Sequence, residues 1–104
     1  MITVTVLYPN QDGARFDMSY YLGQHIPMVK KLLGSALKGV IVEQGVSGGA
    51  PGTKPAYAVL CHLRFDSAEA FQAAFAAHSA QVAADVPNYA SAAPVIQLSE
   101  VKLS

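Results

Sequence analysis

The chain has 104 residues, 52% of them apolar and only 13% charged, and seven basic side chains balance seven acidic ones to a formal net charge of zero. That composition excludes a disordered chain, a disulfide-stapled scaffold and a basic nucleic-acid binder, and it predicts one domain over residues 1–104. So little charge on so small a domain also asks for a covering partner, because a chain of this size buries only about two-thirds of the surface it exposes when unfolded.

Residues 2–8 alternate, with Ile2, Val4, Val6 and Tyr8 on one face and Thr3, Thr5 and Leu7 on the other, which predicts a half-buried strand. Pro9 to Gly13 is a turn cluster. A helix is expected to start at Asp17, whose carboxylate can cap the first turn. Its buried stripe is read as Met18, Leu22, His25, Ile26, Val29 and Leu33, with Gly34 as terminator. Pro27 falls inside this helix and predicts a local kink, since it offers no N–H to the carbonyl of Gly23.

Residues 38–44 form a second predicted strand, followed by a glycine-rich loop over 45–54 that is expected to be mobile and to pack no core. The third strand covers 57–65, with Tyr57, Val59, Cys61, Leu63 and Phe65 on one face and Ala58, Leu60, His62 and Arg64 on the other. Asp66-Ser67-Ala68-Glu69 resembles a capping box and opens a second helix, whose stripe is Phe71, Phe75, His78 and Val82. Asp85 to Tyr89 breaks that helix. Residues 94–103 supply a fourth strand, with a bulge expected at Ser99–Glu100 where alternation slips.

The order is therefore βαββαβ, an α+β domain with two helices on one face of a four-stranded antiparallel sheet. The other face is left bare, and a homodimer would cover it. Cys61, the single cysteine, is read as a small buried hydrophobe. Met1 leads directly into a strand pattern rather than a signal peptide, and no stretch is apolar for long enough to span a bilayer. The expectation is a cytoplasmic protein with no membrane and no nucleic-acid partner.

Tyr8-Pro9, Arg15-Phe16-Asp17, Tyr20-Tyr21-Leu22, His25-Ile26-Pro27, Phe65-Asp66-Ser67 and Asp85-Val86-Pro87-Asn88-Tyr89 together resemble the EthD family, over nearly the whole chain and in order. The family takes its name from a protein associated with bacterial degradation of ethyl tert-butyl ether. The resemblance implies a ferredoxin-like fold whose homodimer closes a dimeric α+β barrel. Wider relatives of that barrel include muconolactone isomerases, polyketide cyclases and cofactor-independent monooxygenases. The fold thus hosts enzymes, but it does not assign this one a reaction.

Among individual residues, His25 is the foremost catalytic candidate. It interrupts an aliphatic helix face, and an imidazole can give or take a proton near neutral pH. Tyr21 lies one turn earlier on nearly the same face and can bring a hydroxyl to the same place. Asp85 can orient an imidazole, as carboxylates do in acid–base sites. Substrate-binding candidates are Tyr8 at the end of the first strand, Tyr89 before the last, and His62 and Arg64 on the less apolar face of the third. Each also has a plain structural role open to it: packing for His25, turn chemistry for Asp85, interface polarity for His62 and Arg64. The three histidines lack metal-ligand spacing, and neither a dinucleotide fingerprint nor a phosphate loop is present, so no metal and no cofactor are expected.

Two functions suit these residues. One is a cofactor-independent enzyme acting on a small apolar organic compound by isomerisation, cyclisation or oxygenation, with His25 as proton shuttle. The other is a non-catalytic protein that binds such a compound or assists a catabolic or biosynthetic pathway.

Overall fold

Strict alternation of side chains builds a four-stranded antiparallel sheet from β1 (Ile2–Pro9), β2 (Gly39–Gln44), β3 (Tyr57–Phe65) and β4 (Val95–Glu100), in the spatial order β2-β3-β1-β4. The computed structural model describes residues 1–104. β1 lies at the centre of the site-bearing half. Val4 is paired with Leu63 and Leu98, and Val6 with Cys61 and Ile96, so one apolar face runs across three strands. On it Val4, Tyr8, Val59, Cys61, Leu63 and Phe65 are buried beneath the helices. The predicted four-stranded antiparallel sheet and the α+β class both hold.

The first helical segment departs from regularity in an informative way. Asp17 caps it as expected, its Oδ1 accepting from the Tyr20 amide at 3.0 Å. After one α-turn, α1 (Met18–Tyr20), the chain makes a π-helical turn over Tyr21–His25, and then α2 (Ile26–Leu33). The Ile26 amide reaches back five residues to the Tyr21 carbonyl. Pro27 sits in the first turn of α2, where no amide hydrogen is needed. The kink expected from this proline is thus taken up as one wide turn. The wider turn changes the phase of the stripe. Tyr21 rotates into the core at 1% exposure, and Leu22, expected to be buried, is left half exposed.

Two other expectations are corrected. The second long helix is divided into α3 (Ala68–Phe75) and α4 (Ser79–Asp85) by a turn in which the His78 amide bonds to the Phe75 carbonyl. Alanine's helix preference is a weak prior that packing overrides. His78, expected on the stripe, stands at this break and is half-buried. No bulge occurs at Ser99–Glu100: the β1–β4 register is continuous, and the one shift is between Tyr8 and Pro9 in the β1–β3 pairing. Ser67 caps α3 as expected, accepting from the Ala70 amide at 3.1 Å.

The loop after β2 carries no core residue. Its glycines are sterically required at two places. A Cβ on Gly45 would fall 2.3 Å from the Tyr57 carbonyl oxygen, and one on Gly48 would fall 2.2 Å from the Thr53 hydroxyl. The opposite sheet face carries Thr5, Leu7, Ile41, Leu60, His62, Arg64 and Val95, and no helix of this chain covers it. No helix is long and apolar enough to cross a membrane.

Candidate functional site

The π-turn and the segment after α4 converge on the open end of β1. Two backbone hydrogen bonds tie residues 15–17 to residues 89–91: the Asp17 amide donates to the Tyr89 carbonyl and the Ser91 amide to the Arg15 carbonyl, which makes Phe16 and Ala90 an antiparallel bridge pair. Phe16 then inserts its ring between Tyr8, Tyr21 and Tyr89, at centroid distances of 5.0, 4.9 and 5.3 Å. These edge-to-face contacts fix the phenols without using their hydroxyls.

The hydroxyls instead form a chain with the buried histidine. His25 Nδ1 lies 2.8 Å from Asp85 Oδ2, and its Nε2 lies 3.3 Å from the Tyr89 hydroxyl. Tyr89 in turn is 2.7 Å from the Tyr8 hydroxyl. Asp85 Oδ1 accepts from Tyr20 at 2.7 Å and from Asn88 Nδ2 at 2.9 Å. Tyr21 stacks on the imidazole with ring planes 13° apart.

An ionised carboxylate can only accept, so Nδ1 carries the proton that faces Asp85. In a neutral imidazole Nε2 then accepts from Tyr89, whose oxygen accepts from Tyr8. Every buried side-chain polar atom has a partner in this arrangement. If the imidazole gains a proton at Nε2, the direction reverses: Nε2 donates to Tyr89, Tyr89 to Tyr8, and the Tyr8 proton points to whatever lies beyond. The two states differ by one proton moved through two phenols, neither of which becomes charged.

The surroundings favour that neutrality. Burial pushes the Tyr8, Tyr21 and Tyr89 phenols above their ordinary range, outweighing for Tyr8 the hydrogen bonds from Tyr89 and Tyr21 that pull it down, so they remain protonated donors. Tyr20 is raised by the carboxylate that accepts its proton. For Asp85, partial burial opposes the charge, but hydrogen bonds from Asn88, Tyr20 and His25 outweigh it and hold the carboxyl below its ordinary range. Burial raises the Cys61 thiol, which suits a packing residue and not a nucleophile.

Beside the chain of hydroxyls is a cavity of about 750 Å³ between the sheet and the helices, walled mainly by apolar side chains of β1, β3, α2, α3 and α4. Tyr8, Tyr21, His25 and Tyr89 contribute to its wall. The volume lies within the range of small-molecule sites.

The structure therefore brings His25, Tyr21, Asp85, Tyr8 and Tyr89 together. His62 and Arg64 are elsewhere, because strand alternation turns them away from Cys61 and Leu63 to the uncovered face. There His62 contacts Glu43 Oε1 at 2.8 Å and the Thr5 hydroxyl at 3.3 Å. They are not part of this cavity. Tyr20 and Asn88 were not anticipated as site residues. The spacing of Asn88 three residues after Asp85 was the available signal, whereas Tyr20 needs the tertiary fold to reach Asp85. No three His, Cys, Asp or Glu side chains gather closely enough to hold a metal ion.

Comparison with known proteins matches the EthD domain over residues 9–93. The chain belongs to the EthD family. A solved EthD-like protein from Ralstonia eutropha JMP134 is 48% identical, with a TM-score of 0.93 over 99% of this chain and 93% of that one. An EthD family protein from Bacillus halodurans C-125 shares 19% identity and a TM-score of 0.74, over 97% of this chain and 98% of that one. The Arabidopsis thaliana protein At3g17210 shares 13% identity and a TM-score of 0.71, over 100% of this chain and 98% of its own. The last two likenesses concern the fold alone. No curated protein matches the sequence. The EthD assignment thus establishes the family and leaves the reaction to be argued from the site.

Proposed function

We propose that this EthD protein binds a small apolar organic molecule in the cavity between sheet and helices and transfers a proton to or from it without a cofactor. The carrying observation is the continuous array Asp85–His25–Tyr89–Tyr8, whose phenol end lies in the cavity wall. Asp85 fixes the tautomer and stabilises an imidazolium, as carboxylates do beside catalytic histidines. His25 is the proton reservoir. A proton leaving a carbon of the ligand passes to the Tyr8 oxygen as the Tyr8 proton moves to Tyr89 and the Tyr89 proton to His25 Nε2, and the reverse passage returns a proton to the resulting anion. An enolisable carbonyl compound, which gains oxyanion character as a carbon-bound proton leaves, fits this array best.

A second reading has its own support. His25 is only 4% exposed, and both of its ring nitrogens already have partners, as a purely structural network would require. The protein would then bind an apolar compound without converting it. We also infer that a second copy covers the uncovered sheet face, since Ile41 and Val95 lie exposed there. Sedimentation should give twice the chain mass, and a monomer would overturn that inference.

Solvent-deuterium exchange separates the two functions. A panel of apolar ketones is incubated with the protein in heavy water and followed by mass spectrometry. The proton-transfer reading expects exchange at the carbon next to the carbonyl, reduced about 100-fold in His25→Gln with ketone binding retained. Binding without exchange would leave the second reading.

A further inference from the structure

The cavity wall is almost wholly uncharged, with one exception. Of the residues lining it, Arg15 alone carries a permanent charge, and no aspartate, glutamate or lysine joins it. The Arg15 guanidinium has no ion pair within the chain, although seven acidic side chains are available to the fold. Its backbone, by contrast, is held on both sides. The Arg15 amide donates to the Ser91 hydroxyl at 2.7 Å, and its carbonyl accepts from the Ser91 amide at 3.1 Å. The next residue, Phe16, is clamped among the three phenols. The Cα of Arg15 is therefore held in register with Ser91, two residues beyond Tyr89, the relay member that touches His25.

A guanidinium on a fixed base beside an apolar cavity is suited to a planar anion, which it can grip with two parallel hydrogen bonds. Arg15 and Ser91 are exposed, so they mark where the cavity meets solvent. A ligand whose charge stays at that rim avoids the cost of burying it while its apolar body enters the cavity. We propose that the ligand is an apolar carboxylate and that Arg15 selects it by pairing with the carboxylate group. This rests on the reading of the cavity as a ligand site and adds the ligand's class. It also orients the molecule, placing the end away from the carboxylate toward Tyr8 and Tyr89.

The test compares a matched pair of probes, 2-naphthoate and its methyl ester, by isothermal titration or fluorescence against wild type, Arg15→Gln and Arg15→Lys. The pairing is partly solvated, so wild type should prefer the acid by about fivefold. Arg15→Gln should erase that preference and leave ester affinity unchanged. Arg15→Lys should retain part of it, and the preference should shrink as salt is added. Equal binding of acid and ester by wild type overturns the proposal and leaves the cavity reading standing. An equal loss of both probes in Arg15→Gln also overturns it, since that outcome assigns Arg15 to the shape of the wall. If neither probe binds wild type, the proposal and the cavity reading fall together.

Discussion

Two histidines in this molecule are held in the same way, on opposite sides of one sheet. His25 lies between Asp85 at 2.8 Å and the Tyr89 hydroxyl at 3.3 Å, and His62 lies between Glu43 at 2.8 Å and the Thr5 hydroxyl at 3.3 Å. The distances are equal, yet the surroundings are not. The His25 and Asp85 side chains are 5% and 15% exposed, against 28% and 53% for His62 and Glu43. Around His25 the hydroxyl belongs to a buried phenol with a second phenol behind it and a cavity alongside. Around His62 the hydroxyl belongs to a threonine on a sheet face that water reaches. A carboxylate–imidazole–hydroxyl triplet is thus not a site by itself. Low dielectric, an enforced direction for each proton and a space for a ligand make the difference.

The largest effect that this contrast predicts is alkaline unfolding. Tyr8, Tyr21 and Tyr89 have raised pKa values in the fold, so their contribution to stability is complete below the ordinary phenol pKa of about 10 and is lost as pH rises beyond it. Three of the five tyrosines should therefore ionise only together with loss of helical circular dichroism. Ionisation of all five before the ellipticity changes would show that the phenol cluster is not the closed environment described above.

Much of this environment was legible in the sequence. Period-two alternation located the strands, and Asp17 and Ser67 announced the two helix starts. His25 stood out because an imidazole on an aliphatic face needs a partner, and the fold supplies Asp85. The π-turn was not legible. Pro27 predicted a kink, and the chain instead widens into a π-turn that buries Tyr21 and leaves Leu22 half exposed. The cavity, too, depends on where α4 rests after the break at His78, which no local pattern encodes. His62 and Arg64 attracted attention by residue type, and only their face of β3 separates them from the site.

Matched truncations of the two carboxylates give the next effect. Asp85→Ala leaves the Nδ1 proton of His25 buried without an acceptor and also strands Tyr20 and Asn88. It should cost about 2 kcal/mol in urea unfolding at neutral pH. Glu43→Ala removes an exposed pair and should cost about 0.5 kcal/mol or less. Acid sharpens the pair further. The folded pKa of Asp85 is lowered, so its stabilisation is present above the ordinary carboxylate value and is lost as pH falls through the folded one. The gap between wild type and Asp85→Ala should then narrow below about pH 4. Equal costs for the two alanines would remove burial as the distinguishing property.

The smallest effect concerns the hydroxyls, and it tests the uncovered face as well. Tyr89→Phe removes the partner of both His25 Nε2 and Tyr8 in a buried network, which should cost about 1.5 kcal/mol. Thr5→Val removes the partner of His62 Nδ1 where water can replace it, so its cost to the isolated chain should stay within about 0.5 kcal/mol. That small value holds only while the face is wet. In a dimer that buries this face, the same substitution leaves an imidazole nitrogen without a partner inside the interface, and the loss moves from folding to association. Unfolding midpoints of Thr5→Val should therefore equal those of wild type at low protein concentration and fall below them as concentration rises. A concentration-independent penalty as large as that of Tyr89→Phe would mean that Thr5 and His62 are already sealed from water within one chain, and the contrast between the two histidines would then fail.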